Sequence, residues 1–129
     1  MQFIYYVVLL PISKLPFGVL YAISDFLYLI LYRLVGYRKK VVRGNIDNSF
    51  PNLSTEEKNK IEKRFYSHFC DLIVESIKAF SISETEIEKR VKHKNTELIT
   101  KYFQLGKDVT MVGGHYNNWE LYAVSVAMY

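Results

Sequence analysis

The segment GGHYNNWEL, residues 113–121, holds the residue types whose spacing points most directly to chemistry. His115 follows a short apolar run, and Glu120 lies five positions further on. On a regular helix five residues rotate by about 140°, so a single helix does not bring both side chains onto one face. A loop that carries His115 into a helix starting just before Glu120 can instead fold the imidazole back toward the carboxylate.

A histidine paired with a carboxylate in this way fits acyl transfer to an alcohol. The imidazole takes the hydroxyl proton as the oxygen attacks, and the carboxylate fixes the tautomer and stabilises the imidazolium. Gly113 and Gly114 allow close backbone approach, and amides at a helix N-terminus help to hold an anionic group. Because an isolated H-x4-E spacing often arises by chance, a purely structural or surface role is the alternative.

Zinc binding is a second alternative for His115. A catalytic zinc site takes three protein ligands, and neither His68 nor His93 stands in an H-x-x-x-H or C-x-x-C spacing. We therefore expect no metal at this site. His68 is expected to be packed or at the surface, His93 to be solvated, and the single cysteine, Cys70, to be a buried structural thiol.

The first third of the chain is hydrophobic enough to prefer lipid. Half of the sequence is apolar and 16% is aromatic. The charged residues within residues 3–36 are Lys14, Asp25 and Arg33. A bilayer takes about 20 apolar residues to cross, and residues 17–36 have that length. We expect residues 1–36 to be a membrane anchor.

One stripe of the expected helix over residues 17–36 combines tyrosines with an aspartate. Its members are Tyr21, Asp25, Tyr28 and Tyr32. An aspartate buried in lipid is costly, so either this face meets another protein surface or the helix lies in the interface with the stripe toward the headgroups. A tilted anchor is the favoured interpretation.

A basic cluster follows the anchor directly. It consists of Arg38, Lys39, Lys40 and Arg43. Basic residues beside a membrane segment mark its cytoplasmic side, and each contributes roughly 1 kcal/mol of attraction to an anionic leaflet. Nucleic acid is the rival partner for such a cluster, but no binding motif accompanies the charge. We expect these residues to meet the membrane surface, with no nucleic-acid partner.

Helix-breaking residues and helix N-caps indicate the organisation of the rest of the chain. Breakers in GNIDNSFPNLS, namely Gly44, Asn48, Pro51 and Asn52, predict an irregular basic linker over residues 37–54. The caps predicted after it are Ser54, Ser83, Asn95, and Asn117 or Asn118. The first cap begins an amphipathic helix over residues 55–80, and the others begin shorter helices. We assign residues 55–129 to an incomplete catalytic domain.

The run VTMVGG, residues 109–114, predicts a short buried strand before the last helix. Helix, strand, Gly-Gly-His and helix in this order are typical of an α/β unit with a parallel sheet. A single strand makes no sheet, because its backbone groups need neighbours. We infer that further sequence or a partner completes the domain.

The segment GKDVTMVGGHYNNWEL resembles the H-x4-D/E motif block of the lysophospholipid acyltransferase superfamily. It is most similar to the G-H-Y-G-N-W-E form of bacterial lipid A biosynthesis lauroyl/myristoyl acyltransferases. The similarity extends back through the FPNLS stretch, the YRKKVVRGNI stretch and the LP-containing membrane segment. It therefore covers essentially the whole chain.

The resemblance implies that His115 is a general base and Glu120 its partner, and that Gly114, Asn118 and Trp119 belong to the substrate-binding site. It implies an α/β fold, a donor thioester of acyl carrier protein or coenzyme A, and no cofactor. The implied acceptor is a hydroxyl of a lipid A precursor, a membrane lipid at the cytoplasmic face of the bacterial inner membrane.

Two features depart from the family pattern. Asn117 stands where the family usually has glycine, and asparagine tolerates a special backbone angle better than most residues. The family's later arginine-bearing and glutamate-glycine blocks have no counterpart here, so we expect the chain alone to be inactive. The alternatives are a small membrane-anchored lipid- or partner-binding protein without catalysis, and an acyltransferase for a glycerophospholipid or an amino-acid lipid.

Overall fold

The computed structural model describes residues 2–127, and within them the chain forms helices and no strand. The helices are α1 (Gln2–Ser13), α2 (Phe17–Val35), α3 (Lys39–Ser49), α4 (Thr55–Lys78), α5 (Glu84–Arg90), α6 (Thr96–Gln104) and α7 (Trp119–Val126). Their contacts group the chain into one unit up to Ser81 and a second unit from Ile82 onward.

Helix α2 ends close to the position predicted from the sequence. Gly36 adopts a left-handed conformation with φ +64°, which costs glycine no steric clash. Its N–H donates to the carbonyl of Leu31, closing the end of the helix. The chain then turns away from the apolar segment into α3.

Helix α4 is the central element of the first unit. The predicted capping box begins it: the Ser54 hydroxyl accepts the Glu57 N–H at 3.3 Å, and the Glu57 carboxylate accepts the Ser54 N–H at 2.9 Å. One face of α4 buries Tyr66, Cys70 and Val74 at four-residue steps. This spacing gives the core stripe expected of an amphipathic helix.

The tyrosine stripe of α2 meets α4, which is the first of the two arrangements considered. The Tyr21 hydroxyl donates to the Glu75 carboxylate at 2.7 Å. Tyr32 is buried, with its ring 5.1 Å from that of Tyr66. Asp25 is exposed instead. Two polar residues of the stripe therefore pack against the chain's own long helix.

Helix α3 corrects the prediction of an irregular linker. It runs through Gly44 and Asn48, two of the four predicted breakers. Glycine and asparagine disfavour a helix only weakly, and contacts with α4 outweigh this preference. Arg43 pairs with Glu62 at 3.5 Å, and Lys58 pairs with Asp47 at 3.0 Å. Ile46 is buried at the same face. Tertiary packing overrides residue propensity here.

The second unit contains α5, α6 and α7. Ile87 of α5 and Leu121 of α7 are buried, and the two helices pack together. His93 corrects the prediction of a solvated residue, because it is half-buried and its Nε2 lies 2.8 Å from the Ser125 hydroxyl. Asn95 precedes α6 as predicted but makes no side-chain cap bond.

The predicted strand and the start of a parallel sheet are not formed in residues 2–127. Residues 107–116 lie in neither helix nor strand. Val112 is 95% exposed, so the run is not buried either. A strand needs a neighbouring chain segment for its backbone groups, and the described residues supply none. The α/β class predicted from this run is therefore not seen here, where the chain is helical.

Candidate functional site

His115 lies in the irregular segment before α7, and its imidazole is exposed. Its ring contacts that of Trp119, the first residue of α7, with ring centroids 4.4 Å apart and planes tilted by 56°. This contact places the histidine at the N-terminus of the helix that carries Glu120. The loop-to-helix junction predicted between the two motif residues is therefore formed.

Asparagines build this junction. Asn118 caps α7, its side-chain oxygen accepting the Leu121 N–H at 2.9 Å. Asn117 has φ +55°, a left-handed backbone conformation that glycine and asparagine tolerate better than most residues. The sequence predicted a cap at Asn117 or Asn118, and a special backbone angle at Asn117. Together they set the direction in which the chain enters α7.

Glu120 is the second residue of α7 and is exposed. Within residues 2–127, no hydrogen bond or ion pair links its carboxylate to His115. The structure brings the two motif residues to one turn without joining them. The rings of His115 and Trp119 do lie together. From the sequence, both residues were expected at one site, but this contact was not predicted.

The two glycines before His115 lie in open space. A Cβ added at Gly113 or Gly114 would meet nothing within 4 Å. The Gly114 carbonyl accepts the Tyr116 N–H at 3.0 Å, which tightens the chain around the histidine. Tyr116 itself is 89% exposed. This side of the junction is open to solvent.

The basic cluster divides into bound and exposed members. Arg43 pairs with Asp47 and Glu62, and Lys39 lies 4.0 Å from the centroid of the Tyr32 ring. Arg38 and Lys40 are exposed. Half of the predicted membrane-surface cluster thus also serves packing within the first unit.

The other candidate groups have structural surroundings. Cys70 is fully buried, and burial, with a smaller contribution from Asp71, raises the pKa of its thiol. The Ser125 hydroxyl, beside His93, donates to the Tyr122 carbonyl at 2.6 Å, so it is not poised as a nucleophile. His68 is exposed, and no cluster of metal-binding side chains occurs among the described residues.

The contact between His93 and Ser125 was missed by the sequence analysis. It ties the segment after α5 to the last helix, and the His93 and Tyr122 rings lie 5.5 Å apart. The available signal was Ser125 itself, a polar residue in an apolar helix. Such a residue, when buried, needs a hydrogen-bond partner.

Comparison with known proteins fixes the family. The family of bacterial lipid A biosynthesis acyltransferases matches the chain over residues 1–129. The chain belongs to this family. No curated protein and no solved structure matches it. The resemblance read from the sequence is thereby confirmed, and with it acyl transfer in lipid A biosynthesis as the activity of the family and a lipid A precursor as its acceptor.

Proposed function

We propose that this chain carries the catalytic dyad of an acyltransferase that moves a fatty acyl chain from a thioester to a hydroxyl of a lipid A precursor. His115 is the general base and Glu120 is its partner. The observation that carries the proposal is the position of the motif in a member of this family: His115 packs on Trp119, and Glu120 is the next residue of α7.

The proposed reaction needs no covalent enzyme intermediate. The His115 imidazole takes the proton of the acceptor hydroxyl as its oxygen bonds to the thioester carbonyl carbon. The tetrahedral oxyanion then collapses, the carbon–sulfur bond breaks, and the imidazolium protonates the departing thiolate. Glu120 stabilises the imidazolium between these steps. The products are an ester and the free thiol of the donor.

The donor is an acyl carrier protein thioester, with coenzyme A as the other possible carrier of the same acyl–sulfur bond. No cofactor or metal takes part. The acceptor is a membrane lipid, and we place the reaction at the cytoplasmic face of the bacterial inner membrane. Two features support this location: the length and apolar character of α2, and the exposed cations Arg38 and Lys40 just after it.

Residues around the dyad shape the site. Asn118 holds the first turn of α7 in place through its bond to the Leu121 N–H. Trp119 supports the imidazole, and the open space at Gly114 admits the acceptor close to the backbone. We assign substrate binding to Gly114, Asn118 and Trp119 on these grounds.

Pairing of the dyad requires a change in residues 107–116. We propose that Val109–Val112 forms a strand of a parallel sheet in the complete domain, which gives the α/β fold and turns His115 toward Glu120. On this proposal, residues 1–129 alone have no acyltransferase activity. The absence of a bond between the two side chains in residues 2–127 supports this part of the proposal.

An acylation assay tests the assigned base. Membranes holding the complete domain with this chain are given a labelled acyl thioester and a lipid A precursor. His115→Ala is expected to lower kcat/KM by about 10²- to 10⁴-fold, the usual contribution of a general base. His68→Ala removes an exposed histidine of the first unit and leaves the rate unchanged. Full activity in His115→Ala refutes the role of His115.

Further arms of the same assay separate the rival functions. A glycerophospholipid and an amino-acid lipid replace the lipid A precursor, and acyl carrier protein and coenzyme A thioesters are compared. If only another acceptor is acylated, that lipid is the substrate in place of the lipid A precursor. No turnover of any acceptor by the complete domain supports a membrane-anchored binding protein without catalysis.

A further inference from the structure

Helix α2 is long and apolar enough to cross a bilayer by length and composition, but its packing against α4 argues against crossing. The contacts run along most of its length. The Ser24 hydroxyl donates to the Asp71 carboxylate at 2.6 Å, one helical turn from the bond between Tyr21 and Glu75. Because α2 is bonded to α4 in this way, α2 cannot enter the bilayer core unless α4 enters with it.

The N-terminal end of α2 is held by a charged residue of α4. The Lys78 ammonium donates to the carbonyls of Ser13 at 2.9 Å and Leu15 at 3.0 Å. At the other end of the contact, Tyr32 packs on Tyr66. The part of α4 beside α2 therefore extends from Tyr66 to Lys78.

Crossing would place charged residues of α4 in hydrocarbon. If α2 filled the bilayer core, Asp71 and Glu75 would lie within the hydrocarbon, because they accept hydrogen bonds from Ser24 and Tyr21 of α2. Charged side chains within a membrane are costly and are normally confined to pores or paired interiors. This cost disfavours a spanning arrangement.

Asp25 leads to the same conclusion. It lies near the middle of Phe17–Val35 and is exposed rather than turned toward α4. In a spanning helix, its carboxylate would face the bilayer centre. A helix lying in the interface leaves this residue at the water-facing edge of its apolar face.

The outward faces of α1 and α2 are nevertheless strongly apolar. Their exposed large residues are Phe3, Ile4, Tyr6, Val7 and Val8 on α1, and Val19, Phe26, Leu29, Leu34 and Val35 on α2. Phe26 is 62% exposed and Leu34 is 79% exposed. Apolar exposure on this scale marks a surface that contacts a partner.

Exposed cations stand at both ends of α2. Lys14 precedes the helix, while Arg38 and Lys40 follow it, and Arg33 lies on its exposed side near the C-terminal end. A long cationic side chain can extend from an apolar face to the headgroups. Cations at both ends match one anionic leaflet touching both ends of the helix.

We propose that α1 and α2 lie along one leaflet of an anionic phospholipid bilayer and do not cross it. The segments before and after α2 are then on the same side of the membrane. The helix contributes its outer face to the lipid and keeps Tyr21, Ser24 and Tyr32 on α4. This arrangement is independent of the proposed dyad, since it rests on the first unit alone.

Cysteine accessibility tests the topology in the full chain. Lys14→Cys and Lys40→Cys, both at exposed positions, are each made in a Cys70→Ala background and expressed in bacteria. A membrane-impermeant maleimide is applied to spheroplasts and to inverted inner-membrane vesicles. Both cysteines are expected to react in inverted vesicles, and neither in spheroplasts.

Any other pattern overturns the proposal. Labelling of Lys14→Cys in spheroplasts, with Lys40→Cys labelled only in inverted vesicles, shows a spanning helix. Protection of Lys14→Cys on both sides until detergent is added shows that this end lies inside the bilayer. Recovery of the chain in the soluble fraction shows that lipid does not cover the apolar face. None of these outcomes depends on acyl transfer.

Immersion depth gives a second, independent measurement. A nitroxide at Phe26→Cys in vesicles of phosphatidylcholine and phosphatidylglycerol is expected about 5–10 Å below the headgroups, the depth of interfacial helices. Lys60→Cys, at an exposed position of α4, is the matched control and is expected to stay in water. A depth of about 15 Å for the Phe26 label, half of the hydrocarbon thickness, contradicts the in-plane arrangement.

Discussion

Asn117 is the residue at which backbone conformation and the candidate site are most closely coupled. Its φ of +55° is a left-handed conformation, and the next residue begins the cap of α7. For residues other than glycine this conformation costs about 1–2 kcal/mol, with asparagine among the most tolerant. The direction of entry into α7 therefore depends on a position that accepts few residue types.

Substitutions of Asn117 should separate backbone strain from side-chain chemistry. Asn117→Gly is expected to change the stability of the second unit by less than about 0.5 kcal/mol, and Asn117→Val to lower it by about 1–2 kcal/mol. Urea unfolding followed by fluorescence of Trp119, the single tryptophan, measures both. Asn48→Val, at an exposed helical position, is the control. Equal stability of the valine and glycine variants contradicts the assigned strain.

At the residue scale the sequence predicted local chemistry better than long-range contacts. A cap at Ser54 and another at Asn117 or Asn118 were predicted, because a cap depends on residues only a few positions away. His93 was expected in solvent, since its neighbours in sequence are charged. Its partner Ser125 lies far along the chain, and no local pattern connects the two.

Among the elements, the packing of α2 against α4 holds the first unit together. The apolar period predicted that α4 has one buried face, and the tyrosine stripe indicated that α2 has a polar one. Neither pattern identified the other as its partner. The matching positions became visible only in the structure, where Ser24 and Asp71 meet across 47 positions of sequence.

The bond between Ser24 and Asp71 should contribute measurably to the first unit. Ser24 is 1% exposed, and a hydrogen bond to a charged group is worth about 1.5–3 kcal/mol. A double-mutant cycle with Ser24→Ala and Asp71→Ala, followed by helical circular dichroism in urea, is expected to show coupling of that order. Ser67→Ala, on an exposed position of α4, serves as the control. Strictly additive effects rule out the interaction.

Helix α3 shows where prediction of elements fails. Glycine and asparagine lower helix propensity by at most about 1 kcal/mol each, which is a weak local signal. The pairs of Arg43 with Glu62 and of Lys58 with Asp47, and the burial of Ile46, work in the opposite direction. These contacts depend on α4, so the sequence of the linker alone does not reveal them.

On the scale of the whole molecule, the two units differ in how far their apolar residues are buried within the unit. The first unit has a buried core along α4 and an apolar outer face suited to lipid. In the second unit, apolar residues of the 107–116 segment such as Met111 and Val112 are exposed. The family was predicted from the motif block around His115 together with the stretches before it and is confirmed over residues 1–129, whereas the predicted sheet is not formed in residues 2–127.

Hydrogen exchange tests whether Val109–Val112 becomes a strand in the complete domain. In the chain as it stands, these amides lie in no helix or strand and are expected to exchange at nearly the unstructured rate. Sheet pairing worth about 3 kcal/mol of local stability slows exchange about a hundredfold. Amides of α4 should be protected in both polypeptides and provide the internal reference. Fast exchange of Val109–Val112 in the complete domain would remove the proposed sheet, and with it the means of turning His115 toward Glu120.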